Sequence, residues 1–565
     1  MLKQAGEGMP VLTIKKERFW RLLGRELGDE ELSSILQDLG LDVEEIADEH
    51  LRVEYNPNRP DFSSPVGIAR AMKGLLGMEL GAPSYNLMPA RTYMEVDPRL
   101  RDVRPYVAAA IVRDLRLGVE DLEELISMQE DLHWIVGRDR RKVAIGLHDL
   151  NPIKPPFKYV AARGDEYKFI PLGGYSPMTL DEILEKHEKG VKYAHVLSGK
   201  PYYPLIVDSL NRVLSFPPII NSRLTELSEK TTSMFIDVTG TDFNAVMNTI
   251  NILTATLIDM GGVVERVRIR YPDRSISTPD YRTRKWRLRK DEVNEVLGLS
   301  LSARDIARAL RKMRYGVRLR RGSIEAIPPP YRIDIMHEID LIEDVAIGVG
   351  YGNLEPTQPD VLTYGSLHPD TIWEEEIREL MIGLGFTEVM NFTLTNVEDE
   401  YLKMRVSPHP HVKLKNPVSA EYSILRTWIL PSLMKNLSMN VKRLYPQKLF
   451  EVGDVVRPEE GRPEKAARSL RLAAVSSHSS ASYSEMKSVV EEALKNLGLG
   501  DWSLKPYDSM PFIEGRAAEI TWKGNSIGFF GEIHPEVLAE WSVMMPTAAM
   551  ELDLSRIIGC SKSAE

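Results

Sequence analysis

The residues best suited to chemistry fall in three clusters. In Tyr331-Arg-Ile-Asp334-Ile-Met-His337-Glu338-Ile-Asp340-Leu-Ile-Glu343-Asp344-Val-Ala-Ile347, the acids Asp340, Glu343 and Asp344 stand at i, i+3 and i+4. On a helix their carboxylates share one face, while Leu341, Ile342, Val345 and Ile347 supply core contacts. Three neighbouring anions repel, so either the positive end of the helix dipole or a bound cation must offset them, and Asp334 adds a fourth hard oxygen donor. Mg²⁺ suits such a set, because it takes a few carboxylates and keeps its waters. Acids that only cap a helix start are the plainer reading of the same residues.

The second cluster gathers Leu205, Ser215-Phe-Pro-Pro-Ile-Ile-Asn221, Asp237, Thr239 and Thr241. Hydroxyls, an amide and an acid among apolar residues and prolines are suited to line a pocket that holds a small polar molecule and positions water. The competing reading is a set of turns whose side chains satisfy their own backbone. The chain has no Gly-x-Ser-x-Gly elbow and no His/Cys set at metal-ligand spacing, which disfavours a classical covalent hydrolase. The third cluster is Asn416-Pro-Val-Ser419-Ala-Glu421-Tyr-Ser-Ile-Leu425-Arg426-Thr427-Trp-Ile-Leu430-Pro431-Ser-Leu433, followed by Lys448-Leu-Phe450-Glu451-Val-Gly453.

The elements that must carry these clusters are readable in outline. Apolar spacing predicts a helix from Lys16, a second capped by Asp29 and ended by Gly40, and a third from Pro65 to Leu76. Strands are expected at Leu51–Tyr55, Val107–Val112, Val143–Asp149 and Tyr203–Asp208, and a helix from Phe243 to Met260 that stops at Gly261-Gly262. The last 200 residues alternate: helix Ile372–Leu384, strand Val389–Leu394, helix Pro431–Val441, strands Lys448–Val456 and Leu470–Val475, helix Ser484–Leu497, then strands Ala517–Trp522 and Ser526–Gly531 about Lys523-Gly524-Asn525.

With 565 residues, several cores are expected, and 43 % hydrophobic with 27 % charged residues is ordinary globular composition. The lone Cys560 can form no internal bridge and fits a reducing, cytoplasmic setting. No apolar run approaches a membrane span, since even Ala245–Met260 is interrupted by Asn248, Asn251 and Asp259, so no membrane partner is expected. The opening MLKQAGEGMPVL holds no secretory signal, and Met9 is an alternative start. The net charge of −10 hides one exception: residues 281–325 carry fourteen Lys or Arg against five acids, a local excess of +9 that points either to a polyanion face or to solvated edge strands.

Asn56 to Asp61, Tyr331 to Tyr351, Asn416 to Leu433, Phe450 to Gly453 and Gly528-Phe-Phe-Gly531-Glu532-Ile-His534-Pro535 together resemble, in order and over nearly the whole chain, the archaeal and eukaryotic β subunit of phenylalanyl-tRNA synthetase. The resemblance implies an α+β multidomain chain with an N-terminal domain (9–85), an editing domain (95–270), a small B5 domain (278–357) and a class II synthetase-like mixed-sheet module (365–555) that has lost its catalytic residues. The last point agrees with Thr547-Ala-Ala-Met-Glu551-Leu-Asp553-Leu-Ser-Arg556, where acids stand and no Gly-x-Gly precedes a clamping arginine.

What the resemblance implies functionally is charging of tRNA(Phe) by an α subunit in an α₂β₂ assembly, with this chain not aminoacylating alone. It also implies a Mg²⁺ site at Asp334, Asp340, Glu343 and Asp344, shared with the α subunit. Hydrolysis of tyrosine mischarged onto tRNA(Phe) would fall to Asn221, Asp237 and Thr239, with Leu205 and Ser215 in the pocket. Leu425, Trp428 and Leu433 are candidate packing contacts with the α subunit. The alternatives are a free-standing tRNA-binding or structural protein, and a self-sufficient ligase. Set against the longer bacterial β subunits, the chain is expected to lack the inserted tRNA-binding domain near the N-terminus and the C-terminal anticodon-binding domain, so anticodon contacts are not expected from it.

Overall fold

A computed structural model describes residues 9–358 and 363–562, with the side chains of 559–562 excepted. The segment ahead of Met9 lies outside the described residues. The chain divides into two compact units, Met1–Gln358 and Pro359–Glu565. Among the described residues no helix is long and apolar enough to cross a membrane.

The first unit opens with a three-stranded sheet in the order Val11–Lys15, His50–Glu54, Asp42–Ile46, covered by helices Lys16–Leu23, Asp29–Asp38 and Pro65–Leu75. Asp29 is not the cap of its helix: Gly28 holds that place, and Asp29 with Glu30 and Glu31 instead puts negative charge in the first turn, where the dipole favours it. The strand at Val11–Lys15 escapes the sequence reading because only Leu12 and Ile14 turn inward, too short an alternation to register.

A ten-stranded mixed sheet follows, in which Met234–Gly240 lies antiparallel between Tyr106–Arg113 and Val143–Asp149. The helix Phe243–Asp259 packs against it; Asp242 caps its first turn by accepting from the Ala245 N–H at 2.9 Å. A smaller sheet, Trp286–Leu288, Ser323–Ile327, Gly316–Arg320, then joins helices Lys290–Leu297, Ala303–Lys312 and Glu338–Val349. Its core is continuous with that of the N-terminal sheet: Phe19, Leu36, Phe62 and Met72 belong to one buried cluster with Leu288, Ile306, Leu310 and Leu341. Segments more than 200 residues apart in sequence therefore share one hydrophobic interior.

The second unit is a seven-stranded sheet built on two long hairpins, Gln447–Pro458 with Ala466–Ser477 and Phe512–Trp522 with Asn525–Ile533, and on Thr547–Asp553. The expected strand Val389–Leu394 does not form. Only Thr387–Glu388 and Leu394–Thr395 pair, and between them the Asn391 amide donates to Glu451 at 2.7 Å while Phe392 is 72 % exposed. A half-buried side-chain bond has replaced the ladder there. Leu433 is fully buried beside Leu430, Met434 and Leu437, which removes it from the candidate partner contacts.

Glu400, in the short helix Glu398–Leu402, takes hydrogen bonds from Thr427 N–H at 2.5 Å and from the Thr427 hydroxyl at 2.9 Å, yet burial still lifts it from 4.5 to about 7. The folded state holds this proton where the unfolded chain releases it, so this residue's contribution to stability declines as pH rises from about 4.5 to 7, by roughly 3 kcal/mol in all. Glu400→Gln should flatten that slope, read as urea unfolding of the second unit at pH 5 and pH 7.5.

Candidate functional site

Strand register builds the first candidate site. Asp237 sits opposite Gly146 on one neighbouring strand and Ala109 on the other, with its side chain 2 % exposed. His148, two residues along from Gly146 on the same strand face, donates from Nε2 to the Asp237 carboxylate at 2.7 Å, and its Nδ1 lies 2.8 Å from the Thr225 hydroxyl. The Ser215 hydroxyl reaches the same carboxylate oxygen at 3.4 Å. A carboxylate deep in a sheet is tolerable only with such partners.

Asp237, Ser215 and Asn221 border a cavity of about 150 Å³. Phe216, Pro217, Pro218, Ile219 and Leu172 make its apolar wall, and Gln129, Glu130, His133, Arg140 and Lys189 bring polar groups to it. Leu205 and Thr239 do not reach the lining. Leu205 is buried in the hydrophobic core, and Thr239 accepts from Arg104 Nε at 3.0 Å through its hydroxyl and from Arg104 at 2.8 Å through its carbonyl. Those bonds anchor Arg104, a fully buried guanidinium that burial lowers to about 10. Thr239 thus stands behind the site rather than in it.

Nothing in the local spacing singles out Glu130, His133, Arg140 or His148; the period-two alternation of the strand holding His148 becomes informative only once register with Asp237 is known. Burial takes His133 to about 4, and its Nε2 accepts the Ile145 N–H at 2.8 Å, so the neutral ring carries its proton on Nδ1, 3.8 Å from Glu130. Burial opposes ionisation of Glu130, yet His133 and the Arg140 guanidinium at 2.7 Å hold it at about 2. An ionised pair, Glu130 with Arg140, therefore stands on the cavity wall apart from the Asp237 cluster.

The second candidate site joins two sequence signatures. Asn56, Asn58 and Arg59 border the same cavity, about 570 Å³, as Asp334, Asp340, Glu343 and Asp344. The carboxylates are, however, already engaged. Arg332 bonds Asp334 through Nε at 2.8 Å and an Nη at 2.7 Å, and that Nη also reaches Asp344 at 2.7 Å. Asp344 further accepts from the Tyr315 hydroxyl. Asp340 caps its helix by accepting the N–H groups of Met336 and His337, each at 2.7 Å, and Glu343 accepts from the Tyr351 hydroxyl at 3.1 Å. Although burial opposes it, Arg332 holds the Asp334 carboxyl below its usual range. Among the described residues no group of three His, Cys, Asp or Glu is arranged to hold a metal; the four acids offer the hard oxygens that Mg²⁺ takes, but Arg332 holds two of them.

In the second unit Arg426 pairs with Glu451 at 2.6 Å, both buried. Glu551 accepts the Ile429 and Leu430 N–H groups at 2.9 and 3.0 Å, while Arg471 bridges Glu551 and Asp553 at 3.3 and 3.0 Å. The acids seen in the terminal segment are thus locked to backbone and guanidinium. Arg457, Arg468, Arg471 and Arg556 border a cavity of about 290 Å³ beside them.

Two stretches match known domains: residues 286–351 match the tRNA synthetase B5 domain, and residues 354–554 match the phenylalanyl tRNA synthetase beta chain CLM domain. The class of protein is that of tRNA synthetase chains. The chain is 45 % identical over 550 residues to a phenylalanine–tRNA ligase beta subunit of Archaeoglobus fulgidus, spanning 97 % of this chain and 98 % of that one. It is 43 % identical over 550 residues to the corresponding subunit of Methanothrix thermoacetophila, spanning 97 % and 100 %. A crystal structure of an N-terminal fragment of the phenylalanyl-tRNA synthetase beta-subunit from Pyrococcus horikoshii is similar at 40 % identity and TM-score 0.59, over 61 % of this chain and 100 % of the fragment. The chain belongs to the family of phenylalanine–tRNA ligase β subunits. Kinship along nearly the full length disfavours a free-standing tRNA-binding protein.

Gly146 is where the first site is most exposed to change. A methyl added there would lie 2.1 Å from an Asp237 carboxylate oxygen and 2.5 Å from His148 Nε2, both buried. Gly146→Ala should therefore destabilise the first unit by roughly 1–3 kcal/mol, seen as a lowered Tm.

Proposed function

We propose that this chain is the noncatalytic half of an α₂β₂ phenylalanine–tRNA ligase, working in the cytoplasm, and that the cavity at Asp237 removes tyrosine esterified by mistake to tRNA(Phe). The observation that carries the editing reading is a buried carboxylate, held by His148, at the wall of a cavity of about 150 Å³. Such a volume is about that of an apolar cavity able to take a benzene ring.

Tyrosine differs from phenylalanine by one hydroxyl, which an apolar synthetic pocket rejects only modestly. A site built to bond that hydroxyl rejects the analogue lacking it by roughly 10⁴-fold, because its own polar group would be left unpaired. In this reading Asp237 accepts from the phenol, and His148 and Ser215 fix the carboxylate. The proline-flanked wall seats the ring, and Asn221 orients the ester or a water. Thr239 acts at one remove, by holding Arg104. The four segments 9–85, 95–270, 278–357 and 365–555 remain our domain boundaries. The absence of synthesis in the last rests on Glu551 and Asp553, whose charge is spent on Arg471.

The isolated chain should not charge tRNA, and adding the α subunit should restore charging with phenylalanine and ATP; activity of the chain alone would favour a self-sufficient ligase. In the α/β complex, Asp237→Ala and Asn221→Ala should slow deacylation of Tyr-tRNA(Phe) at least tenfold, whereas Thr239→Ala should act through lost stability. Unchanged rates for the first two would remove the cavity from editing.

For Asp334, Asp340, Glu343 and Asp344, an interface Mg²⁺ is retained only with a condition. Their oxygens are the hard donors that ion takes, and all four border one cavity. Arg332 must first release Asp334 and Asp344. The isolated chain should bind no Mg²⁺ there, while the α/β complex should hold an ion that Glu343→Gln weakens, measured by metal analysis after dialysis.

A further inference from the structure

Apart from Tyr315, whose hydroxyl reaches Asp344, the basic segment 281–325 takes no part in the sites above. In its three-stranded sheet, Trp286, Leu288, Ile324 and Ala326 face the core. Alternation therefore puts Arg287, Glu325 and Arg318, which stand opposite one another across all three strands, on the other face, with Arg320 paired to Ser323 one step along. Glu325 is the single acid in this group. It lies 3.9 Å from Arg318 and 3.8 Å from Arg320, beyond hydrogen-bond length, and its Oε1 has no hydrogen-bond partner. The arginine side chains stay 61 % and 56 % exposed, and Arg287 is exposed as well. Two guanidiniums thus crowd one buried carboxylate, and a third arginine stands across the strand from it, on a face whose arginines are exposed.

We infer that this sheet face docks the phosphate backbone of RNA. Forked guanidiniums match phosphate oxygens, and an excess of positive charge in an otherwise acidic chain is the footprint that a polyanion requires. A protein partner fits less well: Arg287, Glu325, Arg318, Ser323 and Arg320 are all polar, and the apolar Ile327 in register with them is half-buried at the end of its strand, whereas protein interfaces centre on apolar contacts. The inference rests on the proposed function only for its choice of tRNA as probe.

The test measures binding of uncharged tRNA(Phe) to the α/β complex across a salt series. Arg318→Gln with Arg320→Gln should weaken binding about tenfold at low salt and reduce the slope of log K against log salt by about two, one for each phosphate no longer neutralised. Charging at saturating tRNA should keep its kcat while KM for tRNA rises. Glu325→Gln should act oppositely and tighten binding, an effect that a damaged fold would not produce. Unchanged affinity and slope in both variants would overturn the inference, as would loss of α association with tRNA binding intact, which would make the face a protein interface. A complex that charges no tRNA would refute the ligase reading, and the salt slope would still report on the sheet.

Discussion

A carboxylate in the middle of a large sheet is the constraint on which the first candidate site depends. Asp237 is buried with strands on both sides, and an unpaired ion there would cost several kcal/mol. The compensation comes from three separate places: His148 across the ladder, the Ser215 hydroxyl from a strand further along, and the missing side chain of Gly146, which leaves the carboxylate room. Each works only in one register, so the geometry of the cavity and the pairing of the sheet are the same fact seen twice.

Arg332 plays a comparable part in the other half of the first unit. It gathers Asp334 and Asp344 at the floor of a cavity whose rim holds Asn56, Asn58 and Arg59, while Arg59 grips Asp61 with two bonds of 2.8 Å. The two signatures are more than 250 residues apart in sequence, and the hydrophobic cluster beneath them is continuous. Repulsion among the acids, evident from spacing alone, is thus relieved by an arginine that the same motif supplies, and by the helix start for Asp340.

In the second unit the same logic pairs off buried charge. Glu451, Glu551 and Asp553 lie on strands facing Arg426 and Arg471, and these pairs engage both guanidiniums. Buried ion pairs of this kind are costly to break from one side, so they fix the sheet more than they stabilise it.

Much was decided by sequence alone. The order of five motifs places the chain in its family, and apolar periodicity locates Pro65–Leu75, Phe243–Asp259 and Tyr483–Asn496 to within a few residues, because a helix writes its burial into local spacing. Asp237, Ser215 and Asn221 were legible as polar residues in apolar company, and the acid face of Glu338–Val349 followed from i, i+3, i+4 spacing. Tertiary structure decided the rest. Strand pairing is non-local, so only the fold could bring His148 to Asp237, set Leu205 and Thr239 behind the wall, replace the strand expected at Val389–Leu394 with a bond from Asn391 to Glu451, and bury Leu433. A sequence states which groups carry charge; which opposite charge each one meets depends on contacts between residues far apart along the chain.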